Sequence, residues 1–197
     1  MIISDEQVKK CSAFAKHAPN NHSNKDHRQN DEKPRKPEDI IRKVFTGKMG
    51  EVCFEETAKP YFPEIATDWR LEKIVDVADF IINKRAIEVK TIKTVGQNEF
   101  LLVEPLNLFY KLKNGQPLPH VFVLAQIKWD EQKGKPTKEV NLLGYCWLAE
   151  LFNTYKCEIY KRGEQLPNQN WFLKAHNFAI HKNNLNTNWA TLFEALK

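Results

Sequence analysis

The chain has 197 residues, 42% of them hydrophobic, and its 30 Lys and Arg against 25 Asp and Glu give a formal net charge of +5. That is enough apolar material for one substantial core, and the charge leans mildly toward polyanions. No apolar run approaches the roughly 18 residues of a membrane span, and Cys11, Cys53, Cys146 and Cys157 show neither a C-x-x-C pair nor a zinc spacing, which excludes both of those classes. The start "MIISDEQVKK" has no basic stretch followed by a long apolar one, so a soluble cytoplasmic protein with reduced thiols is expected.

Residues 1–16 predict a short amphipathic helix, with Ser4 as N-cap and Val8, Cys11 and Ala15 at helical spacing. From 17 to 37, "HAPNNHSNKDHRQNDEKPRKP" lacks any aliphatic residue larger than Ala and reads as a polar flexible loop. His17, His22 and His27 recur every five residues, which matches neither a helix face nor a strand face. The remaining residues, 38–197, are expected to form one domain. It opens with the helix "PEDIIRKVF" behind Pro37, followed by a second helix "KMGEVCFEETAKPYF" that stops near Pro60. Strands follow in "KIVDVADFII", "AIEVKTI", "HVFVLAQIKW" and "VNLLGYCWL". The segment 99–119 is ambiguous, with "LNLFYKL" readable as a helical turn. A closing helix is expected through Leu185, Trp189, Leu192 and Leu196. Helices leading into a run of strands give an α/β or α+β class.

The chemistry concentrates in "ADFIINKRAIEVKTIK", residues 78–93. Side chains alternate along a strand, so Glu88 and Lys90 share one face while Ile87 and Val89 take the other. A two-residue turn at Asn83 and Lys84 would pair Ile82 with Arg85 and, extended, set Asp79 against Glu88 at about 5 Å between Cβ atoms. By parity Asp76 points away; a turn one residue longer would set Asp79 against Lys90 instead. Two carboxylates in opposition repel unless a cation lies between them. All-oxygen ligation suits Mg²⁺, which shares its shell readily with phosphate oxygens, so a phosphodiester is the substrate this pattern points to. The competing expectation is a solvated surface hairpin, which the apolar neighbours Phe80, Ile81, Ile82, Ile87 and Val89 disfavour.

"DFIINKRAIEVK" resembles the signature of the PD-(D/E)XK nucleases, a superfamily that includes many type II restriction endonucleases, with Ala78 standing where the Pro would be. The resemblance covers roughly residues 46–155. It implies a restriction-endonuclease-like mixed central sheet flanked by helices, with Asp79 and Glu88 as metal-binding carboxylates and Lys90 as the catalytic lysine. "GKMGEVCFEE" is similar to the G-x-x-G-E form of the family's preceding helix and points to Glu51 as a third catalytic and metal-binding acid, with Glu55 one turn later as the alternative and Glu56 facing elsewhere. The implied activity is Mg²⁺-dependent hydrolysis of DNA phosphodiesters, with Mn²⁺ as a substitute metal. Restriction is the first expectation, and a nickase, junction resolvase or repair or phage nuclease shares the same core.

Such an enzyme must hold double-stranded DNA through phosphate contacts. Lys93, "YKLKNG" at 110–115, the basic stretch 33–43 and "YKRG" at 160–163 are the candidates. Cutting both strands predicts a two-fold homodimer, built on the helices before Pro60 or on the C-terminal segment around Trp189 and Leu192. Two readings of another class compete: a DNA-binding module without chemistry, and a protein-interaction domain presenting Trp129, Trp147 and Trp171.

Overall fold

The computed structural model describes residues 1–21, 36–70, 78–94, 99–167, 169 and 172–197, with the backbone alone at 19–21. His22, His27, Asp76 and Trp171 lie outside the described residues. The architecture is mixed α/β: helices α1 (Asp5–Asn21) and α2 (Pro37–Ala58) precede strands β1 (Phe80–Ile82), β2 (Arg85–Lys93) and β3 (Phe100–Val103). Helix α3 (Pro105–Lys113), strands β4 (Val121–Asp130), β5 (Lys135–Trp147), β6 (Glu158–Tyr160) and β7 (Asn177–His181), and helix α4 (Trp189–Leu196) follow.

The main sheet has the order β1-β2-β4-β5. Its β1/β2 and β4/β5 pairs are antiparallel, whereas β2 and β4 run parallel and are joined by a crossover carrying β3 and α3. A second sheet of order β3-β7-β6 is wholly antiparallel. The two faces of the main sheet close two different cores. Ile87, Val89, Val121, Val123 and Ile127 face α1, α2 and α4, where Met49, Phe54 and Phe193 complete the packing. On the other face Phe122, Leu124 and Cys146 meet Leu101, Val103 and Ile180 of the second sheet. All four cysteines are buried and free.

Several expectations change at the boundaries. Ser4 does cap α1, its hydroxyl accepting from the N–H of Gln7 at 3.2 Å while the Gln7 side chain accepts from the N–H of Ser4 at 3.1 Å. The helix continues to Asn21 because Ala18 extends the buried row of Cys11 and Ala15, so 17–21 is helical rather than loop. The two helices expected around residue 47 are one 22-residue helix, in which the Thr46 hydroxyl donates to the Arg42 carbonyl at 2.8 Å. The C-terminal helix begins only at Trp189, capped by the Asn188 side chain. Leu192 is fully buried and Trp189 packs against the same core, so these two side chains face inward. No helix is long and apolar enough to cross a membrane among the described residues.

Helix α2 lies so close to the sheet that a Cβ at Gly50 would stand 2.0 Å from the Thr91 hydroxyl and 3.2 Å from the Ala125 Cβ. Gly47, three residues earlier, has nothing within 4 Å of that position. Gly50→Ala is therefore expected to cost about 1–3 kcal/mol by overpacking. Gly47→Ala is expected to add about 0.5–1 kcal/mol through helix propensity. Urea unfolding of the two variants measures both, and equal effects would show that the helix–sheet contact is not a constraint.

Candidate active site

The hairpin that carries the charged motif folds with the expected register. Asn83 and Lys84 have φ of 46° and 68°, the left-handed values of a two-residue type I′ turn, and Ile82 pairs with Arg85, Ile81 with Ala86 and Phe80 with Ile87. The turn is anchored from outside: the Asn83 amide donates to the carbonyls of Leu196 and Lys197 at 2.9 Å each, and Arg85 donates to the Ala195 carbonyl at 2.5 Å. These bonds satisfy terminal acceptors of α4 and leave the hairpin little freedom to slip.

Strand β1 begins only at Phe80, and Asp79 occupies the position at which a longer strand would have started. The Asp79 N–H donates to the Ile87 carbonyl at 3.1 Å, and one carboxylate oxygen accepts from the Val89 N–H at 2.6 Å. A side chain thus satisfies a β2 donor that lies beyond the last β1 pairing, which holds the carboxylate at the sheet edge. Glu88 and Lys90 pair with Phe122 and Leu124 of β4 and so project from the second-core face. Glu88 is ion-paired to Lys90 through one oxygen and to Lys111 of α3 through the other, the latter at 3.4 Å.

Asp79, Glu88 and Lys90 line one cleft of about 540 Å³, whose other wall is α3 and the residues after it. Asn107, Tyr110, Lys111 and Asn114 contribute to that wall. They recur at i, i+3, i+4 and i+7, the spacing of one helix face, and this polar stripe is the signal in the sequence that marks them. Lys111 and Lys113 belong to the "YKLKNG" stretch, so of the dispersed basic candidates this one meets the charged hairpin. Lys93 instead stands 4.0 Å over the Trp129 ring.

Glu51 does not line the cleft. It is buried on α2, beside the opposite face of the sheet, and takes a 2.6 Å bond from Lys48, which also donates to the Asp68 carbonyl at 2.9 Å. The Lys48 ammonium lies 4.9 Å from the Phe14 ring centre, and its charge reaches Asp79. Glu55 accepts from the Thr67 N–H at 2.8 Å and Glu56 from the Gln7 amide at 2.8 Å, so both pin neighbouring segments. Among the described residues no three His, Cys, Asp or Glu side chains gather as a metal centre. The two carboxylates of the cleft fit Mg²⁺ as a cation held by one or two acids with substrate oxygens and waters completing its shell.

The electrostatics sort the two acids. Burial, seconded by the Glu88 charge, pushes the Asp79 carboxyl up to about 6, against the Val89 N–H and the Lys90 and Lys48 charges. Burial also opposes ionisation of Glu88, but Lys90 and Lys111 outweigh it and hold Glu88 below the usual range. Burial disfavours the Lys90 ammonium, yet the Glu88 and Asp79 charges keep its pKa above that of an ordinary lysine. Glu88 and Lys90 are thus charged at neutral pH, while Asp79 changes state just below it.

A raised carboxyl pKa means that the folded state holds the ionised form less well than the unfolded chain does. The cost is full above pH 6 and vanishes below about pH 4, where both states carry the neutral acid. Asp79→Asn, whose oxygen still accepts from Val89, is expected to exceed wild type in stability at pH 8 by on the order of 1–3 kcal/mol in metal-free buffer. The gap is expected to close toward pH 4. Urea unfolding across that range measures it, and a gap that stays constant or grows as the pH falls would contradict a buried, ionised Asp79.

No family model, curated protein or solved structure matches the chain.

Proposed function

We propose that this chain is a Mg²⁺-dependent DNA endonuclease of the PD-(D/E)XK kind with a restriction-endonuclease-like core. One observation carries the reading: Asp79, Glu88 and Lys90 meet in a single cleft, on a hairpin whose register was derivable from its turn. The three lysines and two carboxylates that line it also leave an excess of positive charge, which favours an anionic group such as a phosphodiester.

In this reading Asp79 and Glu88 hold the metal, which when bound polarises the scissile phosphate and acidifies a water. Lys90, kept protonated by its neighbours, orients that water and offsets the charge that grows on the phosphate oxygens. Lys111 and Lys113 hold the phosphate against the hairpin. Asp79 must be ionised to bind metal, so metal affinity rises with pH through about 6. Glu51, engaged by Lys48, is a positioning residue for the α2 end of the site and not part of this minimal set.

Restriction is the role favoured by a compact nuclease core, with double-stranded DNA as substrate and a cytoplasmic homodimer as the acting form. With Leu192 buried and Trp189 packed on the core, the outer faces of α1 and α2 are the surface favoured for that dimer. A nickase, resolvase or repair or phage nuclease would use the same cleft. A second reading, a DNA-binding module without catalysis, is favoured by one feature: both oxygens of Glu88 already face ammonium groups.

Plasmid DNA incubated with the protein in Mg²⁺ or EDTA separates these readings. Metal-dependent cutting is expected, abolished by Asp79→Ala and slowed about 10²–10⁴-fold by Lys90→Ala, with Mn²⁺ binding retained in the latter. Sequenced product ends are expected at one palindromic site, whereas random ends would remove the restriction role. Undiminished cutting by Asp79→Ala would overturn the assignment of this site, and DNA retardation insensitive to EDTA with no cutting would overturn the nuclease reading.

A further inference from the structure

We infer that Lys111 is an internal counter-ion that holds Glu88 until a phosphate draws it away, so that metal and phosphodiester bind this cleft cooperatively. The inference rests on the nuclease reading above and assigns to α3 a role that the hairpin motif does not contain.

Each Glu88 oxygen faces a different ammonium, Lys90 on one side and Lys111 on the other. A divalent cation approaching Glu88 therefore meets two like charges and a carboxylate already neutralised. The two lysines are not equivalent. Lys90 is fixed in an interior strand of the main sheet, and its side chain belongs to the same register that sets Glu88. Lys111 comes from a nine-residue helix with no fully buried residue, and its 3.4 Å contact is the longer of the two. The Lys111 side chain is the less exposed of the two, at 14% against 37% for Lys90, so it is the marginal helix that carries it and the longer contact, and not exposure, that make it the partner a phosphate can draw away.

A phosphate entering the cleft supplies the reason to leave. Its oxygens compete with Glu88 for the Lys111 ammonium, on a wall where Lys113 adds a second cation and Asn107 and Asn114 add donors. Transfer of Lys111 from Glu88 to phosphate frees one carboxylate oxygen for the metal and removes one of the two repelling charges. By linkage, bound metal raises the affinity for phosphate by the same factor. Free protein then holds Mg²⁺ poorly, and a cleft without substrate does not assemble its hydrolytic centre.

Mn²⁺ binding, followed by electron paramagnetic resonance of the free ion, tests this with and without a phosphorothioate duplex that resists cutting. Wild type is expected to bind Mn²⁺ about tenfold tighter with the duplex than without it. Lys111→Met is expected to bind Mn²⁺ about tenfold tighter in the free protein and to gain little more from the duplex. Lys111→Gln serves if the Met variant is unstable. Lys135→Met, which removes the same charge from the exposed end of β5, controls for net charge and is expected to leave Mn²⁺ affinity unchanged. Unchanged or weakened Mn²⁺ affinity in both Lys111 variants, with metal-dependent cutting by wild type intact, would overturn the coupling alone. Absence of Mn²⁺ binding by every variant in both conditions would overturn the coupling and the nuclease reading together.

Discussion

Strand β2 is an interior strand covered on both faces, and that single constraint shapes the rest of the molecule. On one face Ile87 and Val89 enter the core beneath α2. On the other, Glu88 and Lys90 stand where their neighbours on β4 are the buried Phe122 and Leu124. Charges at such positions are only partly hydrated, with Glu88 keeping 18% of its side-chain surface and Lys90 37%, so each also takes a partner within the fold. Glu88 finds two, Lys90 and Lys111, and the second comes from α3, which forms the cleft wall. The carboxylate of Asp79 finds the Val89 N–H that a longer β1 would have taken.

The same constraint explains why the acids differ. Glu88 sits between cations and stays ionised, whereas Asp79 is buried beside Glu88, with one backbone donor and the more distant charges of Lys90 and Lys48 in partial compensation. Two carboxylates pushed apart in pKa within one cleft is an arrangement that functional sites exploit and that an ordinary solvated hairpin lacks. Ion pairs also occur away from the cleft, and Lys48 with Glu51 is one of them: a largely enclosed pair bounded by Phe14 and the Asp68 carbonyl. The distinction between the two clusters is access. Asp79, Glu88 and Lys90 open to a cleft of about 540 Å³, and Glu51 does not line it.

Much of the hairpin was legible because its determinants are local. Asn83 suits a left-handed turn position, a two-residue turn fixes register, and period-two alternation then places Glu88 and Lys90 on one face. The main strands and the amphipathic face of α1 were legible for the same reason. Long-range geometry was not. Lys111 lies 23 residues from Glu88, and nothing in "YKLK" alone tells that its helix crosses this hairpin rather than solvent. The second sheet escaped notice because β6 and β7 have only three and five residues, too short for an alternation to stand out. Glu51 matched a spacing, but α2 packs on the face of the sheet opposite Glu88, which a spacing cannot reveal. The two expected helices join through Thr46 and Gly47, where the Thr46 hydroxyl donates back to the Arg42 carbonyl and the glycine interrupts nothing.

The central claim is that Asp79 and Glu88 form one cation site at the edge of the sheet. Anomalous scattering from crystals grown with Mn²⁺ and a short DNA duplex tests it directly. The account predicts one manganese peak within coordination distance of both carboxylates, with Lys111 turned from Glu88 toward a phosphate and Lys90 still in place. A duplex bound elsewhere, or a cleft without a manganese peak in which Glu88 remains paired to both Lys90 and Lys111, would contradict it.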